Sequence, residues 1–184
     1  MSMNLKSFTS AFFVRAAGAI VLTVIFASVS FLRNNIWSDE VTLWRDAAYK
    51  SPQKARSYVN IGAALIKAGK NQEALEPLKK SISIEPAKYE AYRGLGSAYI
   101  NLGRFVEAAA ALSTAVQFKS NSAETYNDLG VVLVMLGNHA GAVEAFKKAL
   151  SVDPSYAEAN ANLANEYRVV GLPVRNASSF PRGK

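Results

Sequence analysis

Cysteine is absent from this chain of 184 residues, and histidine occurs once, at His139. The first absence removes disulfides, thiolate metal sites and a cysteine nucleophile. The second removes any metal site built on several histidines. No glycine-rich phosphate loop and no serine nucleophile elbow can be found, and the carboxylates stand singly, as solvated positions do. The chain is therefore read as a non-enzyme, with no catalytic residue, no metal and no cofactor. His139 sits in the turn-like stretch "LGNHAG" and is expected to be merely exposed. Charge of one sign is also scarce. The net charge is +7, yet residues 55–156 hold eleven Lys/Arg against nine Asp/Glu, so no clustered basic face exists and nucleic acid is not an expected partner.

What the chain does have near its start is an apolar run. Between Arg15 and Arg33 lie seventeen uncharged residues, "AAGAIVLTVIFASVSFL". A helix that crosses a bilayer needs about 20 apolar residues, with a range of about 17 to 25. The run is read as an uncleaved anchor, with the membrane contacted through residues 16–32 and residues 1–33 forming the anchor segment. Two alternatives stand beside it. The small residues "SVS" at 28–30 have the spacing of a signal-peptide cleavage site, and a buried helix of a soluble protein would also be apolar. Lys6 and Arg15 before the run nearly balance Arg33 and Arg45 after it, so charge does not orient it.

Beyond residue 54 the chain repeats itself. "ARSYVNIGAALIKAGK" from 55, "YEAYRGLGSAYINLGR" from 89, "AETYNDLGVVLVMLGN" from 123 and "AEANANLANEYRVVGL" from 157 start 34 residues apart. Gly62, Gly96, Gly130 and Ala164 share one column, and Gly69, Gly103, Gly137 and Gly171 another. Ala74, Ala108 and Ala142 align, as do Leu78, Leu112 and Phe146, then Ser81, Ala115 and Ala149. This pattern resembles the tetratricopeptide repeat (TPR). The resemblance implies an all-α fold, a TPR α-solenoid of antiparallel helix pairs, preceded here by one transmembrane helix. Each unit has a helix A and a helix B. Small residues let A lie close to B, a glycine ends A, and Pro86 and Pro154 end B. The units are 55–88, 89–122 and 123–156. Residues 157–170 form a capping helix, and 171–184 a disordered basic tail.

Carried backwards, the 34-residue frame puts Trp44 in the Leu78 column and Ala47 in the Ser81 column. Residues 34–54 are thus expected to form a juxtamembrane helix, a half repeat with Ser38 as its N-cap and Trp44 buried against the first full unit. An apolar run followed by "RNNIWSDEVTLWRDAAYKSP" and tandem repeats also resembles the C-terminal end of transmembrane-and-TPR O-mannosyltransferase-type membrane proteins. That resemblance implies repeats on the extracytoplasmic side, periplasmic or lumenal, and a catalytic membrane part that this chain lacks.

In TPR proteins helix A lines the inner side of the superhelix, a groove for a protein segment. By register the partner-binding groove receives Arg56, Val59, Asn60 and Ala63 from the first unit. It receives Arg93, Ser97 and Asn101 from the second, and Asn127, Asp128, Val131 and Met135 from the third, with Asn162 from the capping helix. Arg93 and Asn127 are expected to be exposed. The function that follows is a membrane-anchored TPR scaffold that mediates protein–protein interaction or assembly of a complex, with a protein partner in or at the membrane. The alternative is an accessory subunit or C-terminal fragment of a membrane glycosyltransferase-like system.

Overall fold

The computed structural model describes residues 39–171, together with 25, 26 and 28. The chain divides into two compact units, residues 1–43 and 44–184, with the boundary inside the first helix, α1 (Glu40–Lys50). In the first unit Ile25, Phe26 and Ser28 are helical and exposed. Asp39 caps α1: its carboxylate accepts from the backbone N–H groups of Val41 and Thr42, both at 3.2 Å. The cap therefore stands one residue after Ser38. A carboxylate at this end also meets the positive pole of the helix dipole.

The second unit holds seven helices after α1: α2 (Ala55–Lys67), α3 (Asn71–Ile84), α4 (Tyr89–Asn101), α5 (Phe105–Phe118), α6 (Ala123–Met135), α7 (His139–Val152) and α8 (Ala157–Val169). There is no strand among the described residues, and the seven helices stack as antiparallel pairs into an all-helical solenoid. Helices α2, α4, α6 and α8 are the A helices, and α3, α5 and α7 the B helices. Each A helix packs on its own B helix, and each B helix on the next A helix. Successive A helices also touch one another, while successive B helices make no contact of that size. The A row is therefore the closer-set, inner row.

The turn from A to B recurs in each repeat. Gly69 has φ +74° and donates its N–H to the Ile66 carbonyl at 2.9 Å, while Lys70 donates to Leu65 at 2.9 Å. This is a Schellman closure, in which the left-handed residue tolerates no side chain cheaply. Gly103 and Gly137 do the same at φ +70° and +73°. Nothing lies within 4 Å of a Cβ added at these glycines, so backbone conformation alone selects the residue.

The core sits between the rows. Leu78, Leu112 and Phe146 are 0%, 0% and 1% exposed, and Ala74, Ala108 and Ala142 are fully enclosed beside them. Pro77 interrupts α3 and half-buries its ring. It forfeits an i→i−4 hydrogen bond that Ala111 and Ala145 keep at the same place in α5 and α7. The expected burial of Trp44 is corrected. Trp44 and Ala47 are only half-buried, whereas the columns they were aligned with are fully enclosed in all three repeats, and Ala48 is the buried residue of α1. The Tyr58 hydroxyl donates to the Pro52 carbonyl at 3.2 Å, which fixes the entry to α2.

The single-pass membrane location with extracytoplasmic repeats is also corrected. Among the described residues no helix is long and apolar enough to cross a membrane. Helices α1 to α8 run from 11 to 14 residues. At 1.5 Å per residue that is about 17 to 21 Å, against a hydrocarbon core of about 30 Å. Of the run 16–32 through which membrane contact was expected, only Ile25, Phe26 and Ser28 are described. The tail expected over 171–184 lies outside the described residues apart from Gly171.

The columns make a prediction for single substitutions. Leu112→Ala should cost about 2 to 5 kcal/mol, because it empties a fully enclosed site. Ser81→Ala should do the reverse. The Ser81 hydroxyl is buried with no hydrogen-bond partner, and alanine already fills that column at 115 and 149. Removing an unsatisfied buried hydroxyl should stabilise by about 1 kcal/mol. Urea unfolding of both variants checks the pair; a destabilised Ser81→Ala would show that the hydroxyl is satisfied in solution.

Candidate partner-binding groove

Residues spaced i, i+3 or i+4, i+7 and i+11 share one face of a helix. On α6 that face carries Glu124, Asn127 and Asp128, Val131 and Met135. The structure leaves Arg56, Ala63, Asn101 and Met135 exposed on the A helices, and half-buries Val59, Asn60, Arg93, Ser97, Asp128, Val131 and Asn162. Asn127 departs from expectation: it is buried, 4% exposed. Its side-chain oxygen accepts from Asn162 Nδ2 at 2.9 Å, one repeat further on. The amide is therefore a strut between α6 and α8, not a free groove contact. Arg93 is ion-paired with Glu124 across the seam between the second and third repeats. Asn101 donates to Asn71 at 2.9 Å, linking α4 to the start of α3.

Asn60, Gly94, Asp128 and Asn162 fall in one column of the 34-residue frame, an asparagine column interrupted by the glycine. A Cβ on Gly94 would stand 2.8 Å from Cδ2 of Leu78 in the preceding repeat. This column therefore lies in the seam between units rather than out in the groove. That placement explains Asp128. Burial pushes its carboxyl up to about 6; Arg93 opposes the shift, and Glu124 and Glu158 add to it.

Beside this seam opens a cavity of about 370 Å³, lined by Tyr89, Arg93, Lys119, Ser122, Glu124 and Tyr156 among others. Lys119 donates to the Tyr89 hydroxyl at 2.8 Å and lies 4.2 Å from the ring centroid. The Tyr156 hydroxyl donates to Glu158 at 3.1 Å, and burial together with that carboxylate pushes its pKa up to about 12. Sequence reasoning passed over Tyr89, Lys119 and Tyr156. They lie at the ends of the repeat frame, where no packing column flags them.

His139 is not simply exposed. It opens α7, and its Nδ1 lies 2.7 Å from Oε2 of Glu166 on α8. Glu166, a carboxylate of the capping helix, is buried at 5% exposure. The pair fastens α8 to the third repeat. Among the described residues no group of three or more His, Cys, Asp or Glu could hold a metal ion. The groove thus offers ion pairs, amides and small apolar side chains, a chemistry suited to holding a polypeptide segment.

Family models described as tetratricopeptide repeat match residues 65–129 and 123–156. Among solved structures, a crystal structure of MamA is 27% identical with a TM-score of 0.67, covering 72% of this chain and 77% of that one. TTC0263, a TPR protein from Thermus thermophilus, is 25% identical with a TM-score of 0.61, covering 71% and 73%. The first TPR of Spaghetti (RPAP3), bound to the HSP90 peptide SRMEEVD, is 24% identical with a TM-score of 0.63, covering 65% and 94%, a likeness of fold alone. No curated protein matches. These findings concern the repeats and lend no support to the glycosyltransferase-like resemblance.

The Asp128 shift makes a pH prediction. An acid that is harder to ionise folded than unfolded penalises the fold wherever it is ionised. The penalty is complete above about pH 6, shrinks as pH falls, and is gone below the ordinary carboxylate value of 3.8. Asp128→Asn should therefore stabilise the protein at pH 8 by on the order of 1 to 3 kcal/mol. The gain should vanish near pH 4. Urea unfolding of both proteins at the two pH values measures it, and an equal difference at both would contradict the assignment.

Proposed function

Since the chain belongs to the tetratricopeptide repeat family, we propose that it is a non-catalytic scaffold whose inner face holds a segment of a protein partner during assembly of a complex. The repeats at 55–88, 89–122 and 123–156 form the groove, and residues 157–170 close the array. One observation carries this reading. On the A helices the stripe of Arg56, Ala63, Ser97, Val131 and Met135 stays open or half-open, while the opposite faces of the same helices are fully enclosed. A face left unfilled in every unit is a continuous surface, and stacked repeats of this kind use such a surface for binding. The Spaghetti domain, which has this fold, holds an HSP90 peptide. YrrB, also of this fold, is described as having an unusual peptide-binding site.

Two arginines placed in the groove test the reading. Ala63 and Met135 are both exposed, so Ala63→Arg with Met135→Arg should change stability by no more than about 0.5 kcal/mol per site. The double variant should lose the partner that co-purifies with the wild type from a native extract, identified by mass spectrometry. Val106→Arg, at a 69% exposed position of the B helix α5, should keep it. Partner retention by the groove variant, or loss in the Val106 control alone, would move the interface to the outer face.

A further inference from the structure

The inner face of α6 and α8 is polarised across its width. Each of these helices carries an exposed glutamate in its first turn, Glu124 and Glu158. Each ends, eleven positions later on the same stripe, with an exposed apolar side chain: Met135 at 59% and Val169 at 62%. Leu136 and Val170 extend the apolar side at 42% and 39%. Eleven residues of helix separate the two edges by about 16 Å. Arg93 pairs with Glu124, and Lys119, which lines the cavity beside it, is held on Tyr89; Glu158 and the half-buried Asp128 add further acid to this edge. The apolar edge is uncovered by any described part of the chain.

Resting on the groove reading above, we infer that this half of the groove receives an amphipathic helix of a partner protein, with lysines or arginines along one flank and an apolar stripe along the other. The occupant lies along the solenoid, across α6 and α8. The polarity repeats from one A helix to the next, so it matches two flanks of a segment rather than its two ends. A helix with its side chains is about 10 to 12 Å wide. Long basic side chains on such a helix reach the glutamate edge while its apolar stripe rests on Met135 and Val169. The first repeat does not continue the pattern: Arg56 stands in the glutamate column and Lys67 in the column of Met135. The basic flank therefore ends before that repeat, which sets the direction in which the charge of the occupant changes.

The test uses the full chain and two synthetic, fluorescein-labelled helical peptides of about 18 residues, roughly 27 Å long. Both carry a leucine stripe; one has a lysine flank, the other glutamates in the same places. Fluorescence anisotropy should show the lysine peptide binding at least tenfold tighter than the glutamate peptide. Glu158→Lys should narrow that ratio, and Met135→Ser with Val169→Ser should weaken the lysine peptide roughly tenfold. Equal binding of the two peptides, no binding of either, or indifference to the serine pair overturns the inference. If that happens while the double-arginine variant still loses the native partner, the groove reading stands and only the polarity is wrong. If the double-arginine variant keeps its native partner, the groove reading itself has failed.

Discussion

One contact sets the rest of the solenoid: a large side chain of each B helix seated against a glycine of its A helix. A Cβ on Gly62 would stand 2.5 Å from Leu78, one on Gly96 2.6 Å from Leu112, and one on Gly130 2.5 Å from Phe146. The hydrogen on each glycine lets the two helices approach until the leucine or phenylalanine is wholly enclosed, and small residues such as Ala74, Ala108 and Ala142 allow the same approach from the B side. Close antiparallel helices need a short turn. The left-handed glycine at Gly69, Gly103 or Gly137 supplies it by closing helix A within three residues of the start of helix B. The turn and the notch are thus two requirements of one packing event.

The same side chain also connects neighbours. Leu78 meets Gly94 of the next repeat as well as Gly62 of its own, so enclosing one side chain commits two units. Stability then builds by nearest-neighbour addition along the array. Here α8 carries Ala164 where the earlier A helices carry glycine, and among the described residues no further helix packs against it as a B helix. The side of α8 that faces α7 is secured by Leu163 and Tyr167, at 1% and 6% exposure, and by the buried Glu166 carboxylate against His139. A buried carboxylate is costly without a hydrogen-bonding partner. The one histidine of the chain thus serves to fasten the end of the solenoid.

Those packing columns were legible in the sequence because each recurs with the repeat. The glycines, the alanines and the Leu–Leu–Phe series follow from spacing and residue size alone. The candidate site was less legible, because its character depends on contacts between repeats that no single unit displays. Asn127 looked like an exposed polar residue until Asn162 was placed 2.9 Å from it. Asp128 looked like an ordinary carboxylate in an asparagine column until that column proved to lie in the seam. Trp44 illustrates a different limit. The frame predicts its register, but burial requires neighbours on both sides, and the frame is at its end there. The apolar run 16–32 gave a membrane reading from composition alone, whereas among the described residues no helix is long and apolar enough to cross a membrane.

The division between packed and unpacked positions explains how one fold can be specific. Columns that touch glycine notches or close turns are held to one or two residue types by sterics, and they carry no information about a partner. The inner stripe is free of that constraint, so its residues change from unit to unit: Arg56, Glu90, Glu124 and Glu158 in one column, Lys67, Asn101, Met135 and Val169 in another. The variation is ordered. The charge reverses after the first unit in one column, while the other turns from polar to apolar by the third. Neither change is required by packing, since the helices beneath keep the same length and register to within a residue. The order along these two columns is the part of the inner surface that the proposed partner would read, and it concentrates acid and exposed apolar area at the C-terminal half. The seam residues Arg93, Asn127 and Asp128 lie between packing and surface. They tie adjacent units together, and through the pairing of Arg93 with Glu124 they also set how much negative charge the groove presents.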